Sequence, residues 1–199
     1  MNYKSSLERA KSIIINPKAE WESISLENNH YKILIKDYIV YLALIPALVG
    51  FIGYSLIGYR VQFVGLATSF TLGLKLFAYY YLVTVISIYI VAWIIQFFAK
   101  KFEATQSFNK VFELITYSFT AIITISILNI SPAMSRMVSF LNLYCIYIFF
   151  FGFRKMIKIK PEKALPFFIF CILVFIIVYF FLWIWLKNEI IINHKSFNI

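Results

Sequence analysis

Charged side chains are scarce in this sequence of 199 residues. They make up 14% of the chain, whereas hydrophobic residues reach 62%; typical soluble domains are about 25% charged. A soluble fold of this size cannot bury so much apolar surface. The apolar residues form long runs nearly free of charge, as in helices that cross a bilayer, and the alternating pattern of membrane-barrel strands is absent. The sequence therefore predicts an all-α, polytopic helical membrane protein.

Residues that carry catalysis or bind metals are also few. The two cysteines, Cys145 and Cys171, lie inside apolar segments, where buried, inert thiols are expected. The two histidines, His30 and His194, lie outside those segments. The sequence has no His/Glu metal pair, no Asp pair and no Ser-His arrangement. We therefore expect a non-enzymatic protein with no catalytic residues, no bound metal and no cofactor.

Acidic residues are outnumbered: nine Asp and Glu stand against 19 Lys and Arg, and the net charge is +10. In a soluble protein this balance would suggest a nucleic-acid partner. Here the positive residues crowd the ends of the apolar segments, where they orient helices in a bilayer. The expected partner is therefore the lipid bilayer and not nucleic acid, and membrane-protein partners or a homo-oligomer stay open.

The apolar runs predict five membrane spans with short amphipathic helices before them. The spans cover about residues 38–56, 75–98, 112–129, 137–153 and 166–185. Residues 1–37 form a polar N-terminal segment, 38–185 the membrane domain, and 186–199 a short tail. Residues 57–74 contain Gly58, Arg60, Gln62 and Gly65, which indicate a loop, an interfacial segment or a re-entrant segment and not a span.

Two short helices are predicted before the first span. Asn16 is a good N-cap, and Pro17 suits the first position of the second helix because its missing N–H would be unpaired there anyway. Trp21 and Ile24 share a face of that helix. Pro17, Trp21 and Ile24 are therefore proposed to contact the membrane surface or a partner. The alternative, in which this face packs on the inner end of the bundle, is equally open.

A polar row runs along the third span. Thr116, Thr120 and Thr124 recur at every fourth residue, and Asn142 is the strongly polar side chain deep in the fourth span. Such rows usually form helix–helix interfaces, although a polar path for a solute is the alternative. The turn at Pro132 brings Asn142 level with Ile122, so we expect Asn142 to bond Thr120, Thr124 or a nearby carbonyl.

Several short motifs occur together in an order that resembles a known family. They are Ile13-Ile14-Ile15-Asn16-Pro17-Lys18-Ala19-Glu20-Trp21-Glu22-Ser23-Ile24, Ile45-Pro46, Phe51-Ile52-Gly53, Ile57-Gly58-Tyr59, the hairpin residues Tyr117, Pro132, Tyr147 and Gly152, and Pro161-Glu162-Lys163-Ala164. The chain resembles bacterial members of the Ypt-interacting (Yip-one) protein family over nearly its whole length. One departure is Ala121, where the family usually has a proline, so the expected kink of the third span is in doubt.

The resemblance implies a five-span integral membrane protein whose N-terminus lies in the cytosol. Eukaryotic relatives bind Rab-type GTPases, but the Asp-Leu-Tyr-Gly-Pro run of that branch is absent here, and Rab binding is not carried over. The favoured function is membrane organisation, scaffolding or partner recruitment. The alternative is a small-solute or ion transporter or channel, which would usually carry ionisable residues at mid-depth.

The distribution of positive charge predicts the orientation. With five spans, the N-terminal segment and the loops 99–111 and 154–165 share one side and carry fourteen of the nineteen Lys and Arg residues. The positive-inside rule then places the N-terminus in the cytoplasm and the C-terminus outside, most naturally in a bacterial inner membrane.

Reporter fusions test this topology. A periplasm-active reporter should be inactive when fused after Lys160 and active when fused after Lys195, because an odd number of spans separates the N-terminus from the tail. Activity after Lys160 would reject the five-span arrangement with a cytoplasmic N-terminus.

Overall fold

The computed structural model describes residues 3–27, 29–61, 65–130, 134, 138 and 140–186. Its long elements are all helical, and two strands of three residues each connect the first two spans. The helices are α1 (Tyr3–Ile15), α2 (Pro17–Leu26), α3 (Tyr31–Ile57), α4 (Phe70–Ala99), α5 (Phe108–Ile125), α6 (Leu143–Met156) and α7 (Pro161–Leu186), and the strands are β1 (Tyr59–Val61) and β2 (Gly65–Ala67). The chain is thus an all-α membrane protein, as predicted.

Within the described part of the chain, four helices are long and apolar enough to cross a membrane: Tyr31–Ile57, Phe70–Phe102, Phe108–Ile130 and Pro161–Leu182. The helix in the predicted fourth span, α6, has 14 residues in the described part of the chain. It is therefore about 21 Å long, shorter than the bilayer core of about 30 Å. Positions 137 and 139 of that predicted span lie outside the described residues, so the count of five spans stays a prediction.

Two helix starts differ from the sequence-based boundaries. The first span begins at Tyr31 and not near residue 38, because the His30 side chain caps it by accepting from the N–H of Lys32 at 3.3 Å. The second span begins at Phe70 and not at Lys75, because Ser69 accepts from the N–H of Leu72 at 3.2 Å. Polar or charged residues lie near both caps. The first turn of each helix therefore resembled a connecting segment in the sequence.

The ambiguous segment 57–74 contains a small antiparallel ribbon and the start of α4. Tyr59 pairs with Ala67 and Arg60 with Leu66. Gly58 enters the ribbon with φ 93°, a left-handed conformation that favours glycine. This ribbon lets the chain reverse between α3 and α4 without a long loop.

The first span is not a regular α-helix. It contains two π-helical turns, Ile35–Ile39 and Gly53–Ile57, and a break at Ala43. Above the first π turn, Tyr31 packs edge-on against Phe108 and Phe112, with ring centroids 5.4 and 5.9 Å away. Within the turn, Tyr38 is fully buried and bonds Thr120 of α5. The first span therefore contacts α5 both before and inside its first π turn.

Helix α5 is the centre of the bundle. In its most apolar window 61% of the residues are buried inside the protein, against 17% for α7. Burial and hydropathy are opposite in these two helices. Helix α5 is the least apolar of the four long spans and the most buried, whereas α7 is the most apolar and the least buried. A polar helix is stable in a membrane when its neighbours cover it, whereas a uniformly apolar helix can face lipid.

Two connections at one end of the bundle are joined by hydrogen bonds. The backbone N–H of Thr105 donates to the carbonyl of Lys158 at 3.1 Å. Lys160 and Lys163 both bond the carboxylate of Glu103, and these bonds lower the pKa of Glu103 to about 2. The α4–α5 and α6–α7 connections are thus tied together on the side that carries α1 and α2.

Glycine permits the close approach of α3 and α4. A Cβ on Gly73 would collide with the Ser55 hydroxyl and lie 3.1 Å from the carbonyl oxygen of Phe51. A Cβ on Gly53, in the same region of α3, would meet nothing within 4 Å. The pair therefore separates the effect of packing from the effect of helix propensity.

Gly73→Ala should lower the thermal midpoint of the detergent-solubilised protein, because overpacking costs about 1–3 kcal/mol. Gly53→Ala should be neutral or slightly stabilising, since alanine favours helix by about 1 kcal/mol over glycine. Size-exclusion elution after heating gives both midpoints. Equal midpoints for the two variants would contradict the close contact between α3 and α4.

Candidate functional site

The first two helices form a unit that lies against α5 and α6. We call α1, Asn16 and α2 the N-terminal hairpin. The Asn16 side chain accepts from the N–H of Ala19 at 3.4 Å, and Pro17 takes the first position of α2, as predicted. The Tyr144 hydroxyl of α6 donates to the carbonyl of Ile14 at 2.7 Å, which joins the turn of the hairpin to the bundle.

Trp21 is the anchor of the N-terminal hairpin. Its side chain is fully buried, and its indole N–H donates to the carbonyl of Ile148 in α6 at 2.9 Å. Gly152 forms the slot for the ring, because a Cβ there would lie 2.5 Å from Trp21 Cζ2 and 2.6 Å from Leu114 Cδ1. The ring edge also meets Tyr117, at 6.2 Å between centroids. A buried indole with its N–H bonded is well suited to hold a helix in one position.

The three predicted contact residues share the face that meets the bundle. Pro17, Trp21 and Ile24 are all buried. Their neighbours are the chain's own helices, which is the packing arrangement that the sequence left open. The face of α1 that points away from the bundle carries Leu7 and Ile15, 56% and 68% exposed.

An ion-pair cluster holds α1 and α2 together. The guanidinium of Arg9 bonds Glu20 at 2.8 Å and Glu27 at 2.5 Å. It also lies 5.9 Å from the centre of the Tyr117 ring. Burial alone would lower the pKa of Arg9, but the bond to Glu27 and the charges of Tyr117, Glu27 and Glu20 outweigh it, and the pKa is raised. The arginine therefore stays charged between its two carboxylates.

The cluster continues into α5 through a buried carboxylate. Glu113 is fully buried and accepts from Asn29 at 3.0 Å and from Lys110 at 3.3 Å. Asn29 also donates to Glu27 at 2.8 Å, and Lys110 donates to the backbone carbonyls of Ser25 and Glu27. The sequence did not indicate this role of Glu113, because its partner Asn29 lies 84 residues away in the chain.

The middle threonine of the row in the third span bonds the first span. Thr116 and Thr120 are buried. The Thr120 hydroxyl donates to the carbonyl of Thr116 at 3.3 Å and bonds the Tyr38 hydroxyl at 2.8 Å. The predicted bond between Asn142 and Thr120 is therefore not made, because a tyrosine of the first span takes that position. Thr124, the third member of the row, is partly buried.

Asn142 nevertheless lies at the predicted level. It lines a cavity together with Ile122 and Phe119. Its Oδ1 atom is buried and has no hydrogen-bond partner among the described residues. The depth of Asn142 was predictable from the position of the predicted turn. The absence of its bond to Thr120 was not, because it depends on Tyr38 of the first span.

The described residues hold no group of three His, Cys, Asp or Glu side chains that could bind a metal ion. Cys145 and Cys171 are buried free thiols, and Cys145 donates to the carbonyl of Ser118 at 3.1 Å. The carboxylates of the hairpin cluster bond Arg9, Lys110 and Asn29. The geometry is suited to holding the N-terminal hairpin on the bundle.

Trp21→Ala should release the N-terminal hairpin, since removing a buried Trp costs about 3–5 kcal/mol. We expect trypsin to cut the detergent-solubilised variant much faster after Arg9, Lys11 or Lys18, because cleavage needs local opening of the helices. Leu26→Ala is the matched control on the same helix, since Leu26 is 88% exposed. Equal cleavage rates in the two variants would show that Trp21 does not hold the hairpin.

Comparison with known proteins agrees with this architecture. A family model described as the Yip1 domain matches residues 11–184, from the middle of α1 almost to the end of α7. No curated protein and no solved structure gives a significant match. The matched range includes α2 with Trp21 as well as the helices that bury it, so the hairpin and the bundle lie within one domain. On this match, the chain belongs to the Yip1 domain family of membrane proteins.

Proposed function

We propose that this protein is a non-enzymatic component of the membrane that organises it or recruits partners, and that the outer face of the N-terminal hairpin is the surface it uses. The supporting observation is the way the hairpin is held. Trp21 and the bond from Tyr144 to Ile14 attach it to the bundle, and the ion pairs of Arg9 hold its two helices together. A surface fixed in this way keeps one orientation towards the membrane and towards a partner.

The outer face combines apolar and positive side chains. Leu7, Lys11 and Ile15 follow one another at every fourth residue of α1, and all three are exposed. Lys18 and Leu26 of α2 are exposed as well. This combination suits an anionic leaflet or an acidic partner with an apolar patch. Pro17, Trp21 and Ile24 would then act indirectly, by fixing the surface.

The same proposal places the hairpin in the cytoplasm, with a bacterial inner membrane as the setting and the C-terminus outside. It is supported by the charge distribution of the sequence, in which fourteen of nineteen positive residues fall on the hairpin side. The proposal includes both other membrane proteins and further copies of this chain as partners.

The alternative of a transporter receives less support from the charged groups. Transporters usually place ionisable residues at mid-depth along a path. Here Glu113 lies in the second turn of α5 and bonds Asn29 and Lys110. Arg9 bonds two carboxylates of the hairpin. These bonds explain the buried charges without a transported solute.

Photo-crosslinking in cells tests the proposed surface. A photoreactive amino acid at Lys11 should give discrete adducts with a protein or with lipid, whereas the same group at Glu162, exposed at the start of α7 and outside the hairpin, should not. Leu7→Glu together with Ile15→Glu should remove the adducts at Lys11 and leave the protein folded, because both side chains are exposed. An absence of adducts at Lys11, or equal adducts at both positions, would reject the proposed surface.

A further inference from the structure

Two adjoining cavities lie within the membrane bundle, away from the N-terminal hairpin. One, of about 310 Å³, lies among α3, α4, α5 and α7, and it contains most of the polar groups. The other, of about 340 Å³, lies between α5, α6 and α7 and is almost entirely apolar. They share Phe119, Ile122, Asn142, Phe175 and Tyr179 in their linings. We call the first the polar cavity and the second the apolar groove.

The apolar groove opens towards the surrounding lipid. Its lip includes Ile146 and Ile176, which are 38% and 56% exposed on the outside of the bundle. In a bilayer the medium outside these residues is hydrocarbon. An acyl chain can therefore enter this groove from the side without crossing water.

Asn142 stands where the groove meets the polar cavity. Its Oδ1 atom is buried and has no hydrogen-bond partner among the described residues. The helix is also irregular here: Asn142 is a turn residue, and its carbonyl accepts from the N–H of Cys145 at 3.1 Å, three residues on. A tightened turn within a span is often a functional position, and an amide oxygen without a donor is unfavourable in hydrocarbon.

The hydroxyls of the polar cavity are available as acceptors. Thr84 donates to the carbonyl of Tyr80 at 2.7 Å, Ser87 to that of Thr84 at 3.2 Å, and Ser126 to that of Ile123 at 2.6 Å. Each hydroxyl has one proton and two lone pairs, so each can still accept a bond. Together with Asn142 Oδ1, these atoms call for a ligand that donates hydrogen bonds.

The charge of the lining restricts the ligand further. Neither cavity is lined by Lys, Arg, Asp or Glu in the described part of the chain. A phosphate or an ammonium group would therefore lie there without a counter-charge, at a large desolvation cost. The polar end of the ligand must be neutral.

We propose that these cavities bind a neutral bilayer lipid with free hydroxyl groups, of the acylglycerol class. Its chain lies in the apolar groove beside Phe149 and Ile176. Its glycerol hydroxyls lie in the polar cavity, where one donates to Asn142 Oδ1 and another to the hydroxyls of Thr84, Ser87 or Ser126. The site is independent of the N-terminal hairpin and of the proposed recruiting surface.

Photolabelling of the full-length protein in nanodiscs tests this assignment. The probe is a monoacylglycerol with a diazirine in its chain, and a phosphatidylglycerol with the same chain is the comparison. We expect saturable labelling of α6 and α7 by the first probe, competed by unlabelled monoacylglycerol. Asn142→Leu should weaken the binding about threefold, the size of one average hydrogen bond in a membrane interior.

A matched pair of variants separates the groove from the general lipid surface. Ile176→Trp should fill the groove and abolish most of the labelling. Ile177→Trp should leave it unchanged, since Ile177 is similarly exposed, at 65%, but does not line either cavity. The variants also control for each other's effect on folding.

Three results would overturn the proposal. Equal labelling of the Ile176→Trp and Ile177→Trp variants would show that the probe reports only surrounding lipid. Equal saturable labelling by phosphatidylglycerol would show that neutrality is not selected. Competition by free glycerol as effective as that by monoacylglycerol would indicate a site for a small polyol and not for a lipid.

Discussion

The burial of Trp21 against Gly152 is the contact on which the arrangement of the inner end depends. The indole donates to a backbone carbonyl of α6 and packs edge-on against Tyr117 of α5. One side chain of a peripheral helix thus contacts both α5 and α6. Because the slot exists only where residue 152 lacks a side chain, the position of the hairpin is set by a glycine that lies 131 residues later in the sequence.

The most polar span is also the most enclosed, and the N-terminal segment takes part in enclosing it. Glu113 is covered by Asn29 and Lys110, and Thr120 is bonded by Tyr38. Asn29 comes from the N-terminal segment and Tyr38 from the first span, whereas Lys110 belongs to α5 itself. A helix with hydroxyls and a carboxylate would be poorly suited to a lipid environment alone. The hairpin and the bundle are therefore parts of one folded unit, as the extent of the family match indicates.

Local signals in the sequence were sufficient for much of the fold. The long apolar runs gave the membrane class, and Asn16-Pro17 marked the start of α2 because capping depends on adjacent residues. The caps at His30 and Ser69 were overlooked, because polar residues around them made the first turn of each helix resemble a connecting segment.

The candidate site was predictable only in part. Trp21 and Asn142 were identified as unusual, yet their surroundings depend on contacts between distant parts of the chain. The sequence left Trp21 equally at the membrane surface, which tryptophan suits, or against the bundle, because the close fit beside Gly152 depends on a residue far along the chain. The polar stripe at Thr116 and Thr120 was predictable from its spacing. Its partner Tyr38 was not, because a tyrosine at the end of a span is equally typical of the membrane interface.

The π turn at Ile35–Ile39 has a consequence for the rotational phase of the first span. A π turn accommodates one residue more than a regular α-helical turn, and each residue of an α-helix advances the direction of its side chain by about 100°. A π turn absorbs the extra residue by widening, so the helix on both sides of it keeps its direction towards α5, with Tyr31 among phenylalanines and Tyr38 at Thr120. A homologue one residue shorter here would close the turn into a regular α-helical one without rotating the rest of the span. The length of the first span can therefore differ by one residue at this turn while the flanking helix keeps its contacts.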